Sequence, residues 1–313
     1  MIVGERARAA VAARRATGGP WVGLLMGIER GEPGPPGVTE LRAARAGGFL
    51  ELAVLADFAV GAALRSLTGP GTVMPTLTLT LQLWGAEDGG DVRVRAEADS
   101  VAGTVASARA GLVGAAGAFG SCLATFAVAP AGAGAWTPLP WEQAAATPSD
   151  TERAARLDAP PSVEERAATA PLDAPSDPER PALALSAEER AAVALLDGPG
   201  SLGDRLAPLR WTPAPAGRSS GRIETGALHT NRAGAVQGGV LAGLAAASAR
   251  RAAGSDGARV ASFHLAYLRP APPGELEAAA EVIHAGRRAT LVRAGVTAAG
   301  AVVASATVAL ASE

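Results

Sequence analysis

The chain repeats itself along its length, and this internal repeat constrains the fold more than any other feature. A segment that begins at Glu97 aligns with one that begins at Glu281, and Arg109-Ala110-Gly111 falls on Arg293-Ala294-Gly295. Upstream, Thr76-Leu77-Thr78-Leu79 falls on Ser262-Phe263-His264-Leu265 at nearly the same spacing. Solenoid repeats have periods of only about 20 to 50 residues, so a unit of this size indicates a duplicated domain.

Each half has the same order of elements, an apolar helix followed by alternating segments. Helices are predicted from Phe49 to Arg65 and from Val236 to Arg251, because both are apolar almost all round and must be buried on most faces. Turn residues separate the segments that follow, which favours antiparallel meanders wrapped around the helices. The predicted strands are Thr76 to Trp84, Asp91 to Ser100, Thr104 to Val113, Ala118 to Val128, Ala261 to Leu268, Glu275 to His284, Thr290 to Thr297 and Val302 to Leu310.

The two halves are joined by a bridge rich in proline and acidic residues, and this composition disfavours a packed core. We therefore expect an N-terminal domain over 1–130, a bridge over 131–217 and a C-terminal domain over 218–313. Within the bridge, a capping box that begins at Ser186 predicts one short helix that runs to Leu196. Trp136, Trp141 and Trp211 are expected to fix the bridge to the domains.

Composition excludes several classes of function. The 28 basic residues, all arginine, face 30 acidic ones for a net charge of -2, without the basic block that nucleic-acid binding requires. The single cysteine, Cys122, leaves no internal disulfide and no cysteine-based metal site. Apolar stretches are short or interrupted and the first ten residues carry charges, so neither a membrane span nor a signal peptide is expected. The sequence predicts a cytoplasmic protein.

The start of the second apolar helix is the strongest candidate for a site. Gly238 and Gly239 would let a ligand approach bare backbone N–H groups at the positive end of the helix dipole. Such an arrangement stabilises an oxygen that gains negative charge, as in an oxyanion hole. Asn231, the only asparagine, lies in the loop before the helix, and Gln237 directly precedes the glycines. The simpler interpretation is that the glycine pair only allows tight packing of the helix against the sheet.

This window resembles the hotdog-fold acyl-CoA thioesterases, particularly the PaaI-like group, whose helix opens with Asn, five residues and His-Gly-Gly. Gln237 stands here where that His is usual, and the resemblance extends through Tyr267-Leu268-Arg269-Pro270 and Gly286-Arg287-Arg288. It implies an α+β double hotdog, two antiparallel sheets that each wrap a central helix, fused as a pseudo-dimer. It also implies an acyl-CoA or other acyl thioester substrate, no cofactor and no metal, and leaves a homo-oligomer of pseudo-dimers open.

The resemblance further implies a composite site, in which one half gives the Asn and Gly groups and the other gives an acid from its own helix. The acid belongs nine positions after the His, where this chain has Ala246. Alignment of the two helices places Asp57 on that position in the first half. Because the halves have lost complementary parts, we expect one working site built from Asp57, Asn231, Gln237 and Gly238.

The expected reaction is thioester hydrolysis. Gly238, with Gly239 beside it, would bind the thioester oxygen, and Asp57 would act as general base or as nucleophile, which the sequence does not separate. Asn231 would hold the water or Asp57, and Gln237 would contact the carbonyl or acyl group. Thr76, with Thr78 as its rival, would assist the acid.

Arg287 and Arg288 have no basic counterpart in the first half, so they would bind the phosphates of coenzyme A, unless they are simply a solvated strand edge. Two alternatives to the thioesterase remain at this point. A non-catalytic acyl-CoA-binding module would account for the unusual Gln237. A hotdog hydratase or dehydratase would act on the same thioesters, but no His stands near Asp57 in the sequence.

Overall fold

The structure is a computed structural model that describes residues 3–32, 34–44, 47–68, 71–85, 90–130, 185–255 and 258–311. Trp136, Trp141 and the larger part of the predicted bridge lie outside the described residues. The helices are α1 Val3–Thr17, α2 Trp21–Leu25, α3 Phe49–Thr68, α4 Ala187–Asp197, α5 Leu202–Leu206 and α6 Gly238–Ala252, and a 3-10 turn, η1, spans Ala227–His229. The strands are β1 Ile28–Arg30, β2 Val38–Ala43, β3 Thr72–Val73, β4 Thr76–Leu83, β5 Val92–Ala102, β6 Val105–Gly114, β7 Gly117–Ala127, β8 Ala129–Pro130, β9 Arg210–Thr212, β10 Arg218–Thr225, β11 Arg259–Tyr267, β12 Gly274–Ala285, β13 Ala289–Ala298 and β14 Ala301–Ala311.

Twelve of these strands form one continuous antiparallel sheet, in the order β1-β2-β5-β6-β7-β4-β11-β14-β13-β12-β10-β9. The first six strands in this order come from the first half of the chain and the last six from the second half. The two sets meet at β4 and β11, where Leu79 pairs with Leu265. The eight predicted strands are all present, but the predicted meanders are only partly right. β5, β6 and β7 are neighbours in sequence order, whereas β4 pairs with β7 and not with β5, and β11 likewise pairs with β14 and not with β12.

Helices α3 and α6 lie against the inner face of this sheet and contact each other at two glycines. A Cβ atom added to Gly239 would lie 2.5 Å from both the Cα and the nitrogen of Val54. At Gly243 it would lie 2.6 Å from Cγ of Leu50. Close approach of the two helix backbones thus requires residues without side chains. This contact brings the middle of α3 to the N-terminus of α6.

Several elements of the structure were not predicted from the sequence. β10 turns Ser219, Gly221, Ile223 and Thr225 toward α6, so its inward face is made largely of small or polar residues. Such a strand lacks the apolar alternation by which half-buried strands are recognised. α1 was not predicted because most of its residues are polar or alanine, and it is anchored by contacts that are distant in sequence.

A group of helices made of α1, α2, α4 and α5 packs over the beginning of α3. The predicted helix near Ser186 is present as α4, and its capping box is formed by Ser186 and Glu189. Arg15 of α1 also binds Glu189, at 2.8 Å between Nη2 and Oε2. The backbone N–H of Gly203, in α5, donates to Oε1 of the buried Glu51 at 2.8 Å. Ionic and capping contacts thus hold residues from the later, described part of the predicted bridge region against the first half.

Among the helices of the described ranges, none has both the length and the apolar character required to cross a lipid bilayer.

Candidate active site

Asp57 lies in the middle of α3 and accepts hydrogen bonds from both halves of the chain. Oγ1 of Thr76, on β4, donates to Oδ1 at 3.0 Å. Nε2 of Gln237 donates to Oδ2 at 2.7 Å. The two carboxylate oxygens are therefore each held by a separate donor. Because a carboxylate has about four acceptor positions, each oxygen can still accept a further hydrogen bond.

Thr76 reaches Asp57 because of an irregularity in the sheet. The pairing of β4 with β7 shifts between Thr76 and Thr78, where Thr76 lies opposite Phe126 and Thr78 lies opposite Thr125. Phe126 is buried in the core, whereas Oγ1 of Thr78 is 2.7 Å from Oγ1 of Thr125 on the other face of the sheet. An extra residue in one strand reverses the alternation of its side chains. The bulge therefore turns Thr76 toward Asp57 and leaves Thr78 on the opposite face.

Gln237 is the N-cap of α6, and that role fixes the orientation of its side-chain amide. Its Oε1 accepts a hydrogen bond from the backbone N–H of Val240 at 3.1 Å, as N-cap oxygens do. The NH₂ group must then point the other way, toward Asp57. The side chain is buried, with 3% of its surface exposed. Gln237 thus contacts the carboxylate directly, whereas the sequence predicted that it contacts the carbonyl or acyl group.

Gly238 is the first residue of α6, so its N–H has no acceptor within the helix. The position of a Cβ atom on Gly238 would be 3.0 Å from Oδ2 of Asp57 and 2.9 Å from Oη of Tyr267. The backbone at Gly238 therefore faces the carboxylate at close range. Gly239 faces the backbone of α3 instead and is buried. The missing side chain of Gly239 therefore serves the packing of α6 against α3, and its contact with a substrate stays a prediction.

Burial raises the pKa of Asp57 to about 6, because the apolar surroundings of α3 disfavour the charged carboxylate. The hydrogen bond from Thr76 acts in the opposite direction and lowers the pKa, but by less. The side chain nevertheless keeps a partial exposure to solvent. A carboxylate whose pKa lies near neutrality and that water can reach has the properties of a general base.

Asn231 is placed near this cluster in sequence, but its side chain serves its own loop. Oδ1 accepts hydrogen bonds from the backbone N–H groups of Ala233 at 2.9 Å and Ala235 at 3.3 Å. No hydrogen bond joins Asn231 to Asp57 within the part of the chain that the structure describes. Asp57 is therefore held by Gln237 and Thr76 and not by Asn231, because the Asn231 oxygen forms the turn before α6. The alternative role of Asn231, to hold the water, stays a prediction.

Arg287 and Arg288 lie in the turn between β12 and β13 and are exposed. Strand register places them at the other end of the sheet from Tyr267: the adjacent Ala289 pairs with Ala311, which pairs with Arg259 at the start of β11. Tyr267 ends the same strand, roughly 25 Å along it at the usual rise per residue. The pair is thus well separated from Asp57 along the sheet, and its contact with the phosphates of coenzyme A stays a prediction, with a solvated strand edge as the alternative.

Tyr267 is a polar residue at this site that the sequence analysis did not select. Its hydroxyl is buried and has no hydrogen-bond partner in the described structure. A buried hydroxyl without a partner costs about 1 to 3 kcal/mol, so such groups are uncommon. Tyr267 is the only tyrosine of the chain, and the alternation of β11 turns it inward. Its place in the sequence did not distinguish it from an ordinary strand aromatic.

The histidines do not complete a different site around Asp57. Nε2 of His229 is 2.7 Å from the carbonyl oxygen of Leu206, and its Nδ1 accepts a hydrogen bond from the N–H of Gly226. His264 is on the exposed face of β11, where Nδ1 contacts Oγ1 of Thr80. Within the described ranges, His, Cys, Asp and Glu side chains form no group of three that could hold a metal ion.

Two clefts lie away from Asp57: one of about 510 Å³ on the outer face of the sheet near Arg109, and one of about 540 Å³ between Trp211 and the end of α6. Neither is lined by Asp57, Gln237 or Tyr267. The groups at the site are a carboxylate, two donors that orient it, a backbone N–H at a helix start and a hydroxyl without a hydrogen-bond partner in the described structure. Together they can activate a water molecule and stabilise an oxyanion.

Comparison with known families gives a match within the second half of the chain. Residues 228–311 match the family described as the acyl-CoA thioesterase N-terminal domain. The matched range includes Gln237, Gly238 and Tyr267, whereas Asp57 and Thr76 lie in the first half, outside it. The predicted kinship with hotdog thioesterases is confirmed by this match, and the enzyme class that it indicates is the predicted one. A search of curated proteins found no match.

Solved structures similar to this chain extend over nearly its whole length. One is a hot dog fold protein of unknown function from Alicyclobacillus acidocaldarius, with 12% identity and a TM-score of 0.53, over 91% of this chain and 96% of that one. The tesB protein of Mycobacterium avium subs paratuberculosis gives 10% identity and a TM-score of 0.53, over 93% and 98% of the chains. The acyl-CoA thioesterase II TesB2 of Mycobacterium marinum gives 13% and 0.51, over 92% and 95%.

At these identities the similarity shows the fold alone. The chain is a double hotdog, as predicted, and its continuous sheet with two central helices is the shared architecture.

Proposed function

We propose that this chain hydrolyses acyl-CoA, or another acyl thioester, at one composite site between α3 and the start of α6. The observation that carries this proposal is the placement of the Asp57 carboxylate, from the first half, against Gln237 and Gly238 from the second half. The family match of residues 228–311 supports the substrate class.

In the proposed reaction Asp57 acts as general base. A water molecule that donates a hydrogen bond to the carboxylate loses its proton to Asp57 as its oxygen bonds to the thioester carbon. Thr76 and Gln237 hold the carboxylate in one orientation, so that the free acceptor positions of both oxygens keep fixed directions. We favour a base over a nucleophile because hydrogen bonds to both oxygens reduce their nucleophilicity but still permit proton transfer.

The developing oxyanion is proposed to bind at the N-terminus of α6. The Gly238 N–H has no intrahelical acceptor, and the helix dipole adds a positive potential at this end. As the tetrahedral intermediate collapses, the carbon–sulfur bond breaks and the proton held by Asp57 passes to the thiolate. Free acid and free thiol are the products.

A hydratase is less consistent with the site, because the His229 side chain is hydrogen-bonded to the backbone of Leu206 and Gly226.

Release of free thiol tests the proposal directly. We expect the purified protein to hydrolyse at least one member of a series of acyl-CoA substrates of increasing chain length, followed by the reaction of the released thiol with a chromogenic reagent. An enoyl-CoA of the same length provides a control, since a hydratase would change its absorbance without releasing thiol. Binding of acyl-CoA with no thiol release would favour the non-catalytic module.

The two threonines of β4 provide a matched pair of variants. We expect Thr76→Val to lower kcat about tenfold, because Asp57 loses a donor that orients it, and Thr78→Val to leave kcat unchanged. Activity should be lost as pH falls through about 6 in the wild-type enzyme, since only the deprotonated carboxylate accepts the water proton.

In Thr76→Val this acidic limb should move to higher pH. The Thr76 hydrogen bond stabilises the charged form of Asp57, so its removal raises the pKa of the carboxyl group. Measurement of kcat/KM between pH 5 and 9 for all three proteins checks both effects. Equal losses in the two valine variants would contradict the assignment of Thr76.

A further inference from the structure

Tyr267 lies beside the proposed oxyanion site, and packing of its ring does not explain why the residue carries a hydroxyl. It ends β11, opposite Ala304, and the alternation of that strand directs its ring toward the inner face of the sheet. The Cβ position of Gly238 lies 2.9 Å from Oη and 3.1 Å from Cζ of Tyr267. The phenol therefore reaches the backbone of the first residue of α6, on which Asp57 also converges.

The hydroxyl of Tyr267 is shielded from solvent but makes no hydrogen bond in the described structure. In a folded protein a buried hydroxyl ordinarily finds a partner, and those that do not are often found where a ligand supplies one. Phenylalanine would fill the same space without leaving a polar atom unsatisfied. The hydroxyl is thus best explained by a partner that is present only when substrate is bound.

We propose that the Tyr267 hydroxyl donates a hydrogen bond to the thioester oxygen of the bound substrate, as a second donor beside the Gly238 N–H. The proposal rests on the function proposed above and assigns a further catalytic residue to it. Two donors from different elements, a strand end and a helix start, would converge on the oxygen that becomes negative in the transition state.

The chemistry of the phenol suits a donor and not a base. Burial, together with the nearby Asp57 and the buried Cys122, raises the pKa of Tyr267 well above its ordinary value, so the hydroxyl keeps its proton. Asp57 is the group at this site whose pKa suits proton transfer near neutrality. The two residues therefore have separate functions: Asp57 accepts the proton from water and Tyr267 stabilises negative charge on oxygen.

Tyr267→Phe removes the hydroxyl alone and tests this role. We expect kcat to fall at least about tenfold, with KM changed by less than about twofold, because the hydrogen bond strengthens in the transition state. The melting temperature should stay equal or rise, since the hydroxyl makes no bond in the free protein. Thr78→Val, which removes a hydroxyl from the outer face of the neighbouring strand, is the control and should change neither kcat nor KM.

Binding of two coenzyme A derivatives provides a second readout that does not need turnover. The carbonyl carbon of an acyl-CoA trifluoromethyl ketone adds water, whose proton passes to Asp57, to give a tetrahedral hydrate with an anionic oxygen, whereas the matching CoA thioether has no oxygen at that carbon. Tyr267→Phe should weaken binding of the ketone at least about tenfold and leave the dissociation constant of the thioether unchanged.

The outcomes separate this proposal from the function on which it rests. Thiol release by the wild type with normal kcat in Tyr267→Phe would overturn the role of Tyr267 and leave the thioesterase intact. If the wild type releases no thiol, the proposed function fails, and binding of the ketone then tests the Tyr267 contact by itself. Weaker binding of the ketone alone to Tyr267→Phe supports the contact, and equal binding of the ketone to wild type and variant overturns it. A protein that binds neither derivative and releases no thiol would overturn both. A lower melting temperature with unchanged kcat would assign Tyr267 to structure only.

Discussion

Asp57→Asn is expected to abolish thiol release, with a loss in kcat of about a thousandfold or more, because the amide cannot accept a proton from water. The substitution preserves the shape of the side chain. Its oxygen can still accept from Gln237, and its NH₂ can donate to Oγ1 of Thr76, so the hydrogen-bond pairs of the folded site persist. The effect is measured as steady-state hydrolysis of the best acyl-CoA substrate.

The same variant should be at least as stable as the wild type at pH 8. Burial raises the pKa of Asp57 from 3.8 to about 6, so between these values the folded state binds more protons than the unfolded state. Wild-type stability therefore decreases as pH rises through this window and is level above it, as far as this group is concerned. The difference in melting temperature between variant and wild type should accordingly grow from pH 4 to pH 8.

Asp197→Asn is the matched control, since Asp197 ends α4 and is exposed. We expect normal turnover from this variant. Normal turnover by Asp57→Asn would overturn the composite site, because no other group bonded to Gln237 and Thr76 could then be the base. A melting temperature that falls at pH 8 would show that the carboxylate stabilises the fold.

Gly239→Ala is expected to produce the largest loss of stability, about 3 kcal/mol or more. The added Cβ would lie 2.5 Å from the backbone of Val54, and backbone atoms within a buried helix cannot move aside as a flexible side chain can. The two central helices would have to separate, which would also withdraw Gln237 and Gly238 from Asp57. Chemical denaturation and thermal melting measure the first effect, and thiol release measures the second.

Gly61→Ala tests the same substitution in α3 without a clash. Its Cβ would lie 3.9 Å from Cε1 of Phe126, an ordinary contact, and alanine favours a helix over glycine by up to about 1 kcal/mol. We therefore expect equal or higher stability for this control. If Gly239→Ala melted like Gly61→Ala, the close approach of α3 and α6 would be wrong, and with it the geometry of the proposed site.

The elements of the fold were largely predictable because they follow from local pattern. The helices from Phe49 and from Gly238 are apolar on most faces. Eight strands have alternating patterns and are separated by turn residues, so both kinds of element could be predicted without information from distant residues. α1 and β10 were not predictable by the same means. α1 is anchored by the contact of Arg15 with Glu189, which is distant in sequence. β10 has serine and threonine among its inward side chains, so it lacks the apolar alternation of a half-buried strand.

The site was predictable only in part. Duplication and the position of Asp57 in the first helix indicated which half gives the acid, and the glycines at the start of the second helix indicated where the other half contributes. The choice between Thr76 and Thr78 depended on a bulge in β4, which is defined by pairing with β7 and leaves no mark in the sequence of β4 itself. Asn231 was selected by its place before the second helix, yet its side-chain oxygen forms a turn in its own loop, which sequence position does not reveal. The distance of Arg287 and Arg288 from Asp57 likewise depends on strand register.

The amino-acid sequence by itself determined that two related halves fold around apolar helices, because periodicity and repetition are properties of neighbouring residues. Tertiary structure alone decided which polar atoms meet. Whether Gln237 faces a substrate or a carboxylate depends on the helix cap that takes its oxygen, and whether the Tyr267 hydroxyl has a partner depends on the distance between a strand end and a helix start. These are distances of a few ångströms between residues far apart in the chain, which only the packing of α3, α6 and the sheet sets.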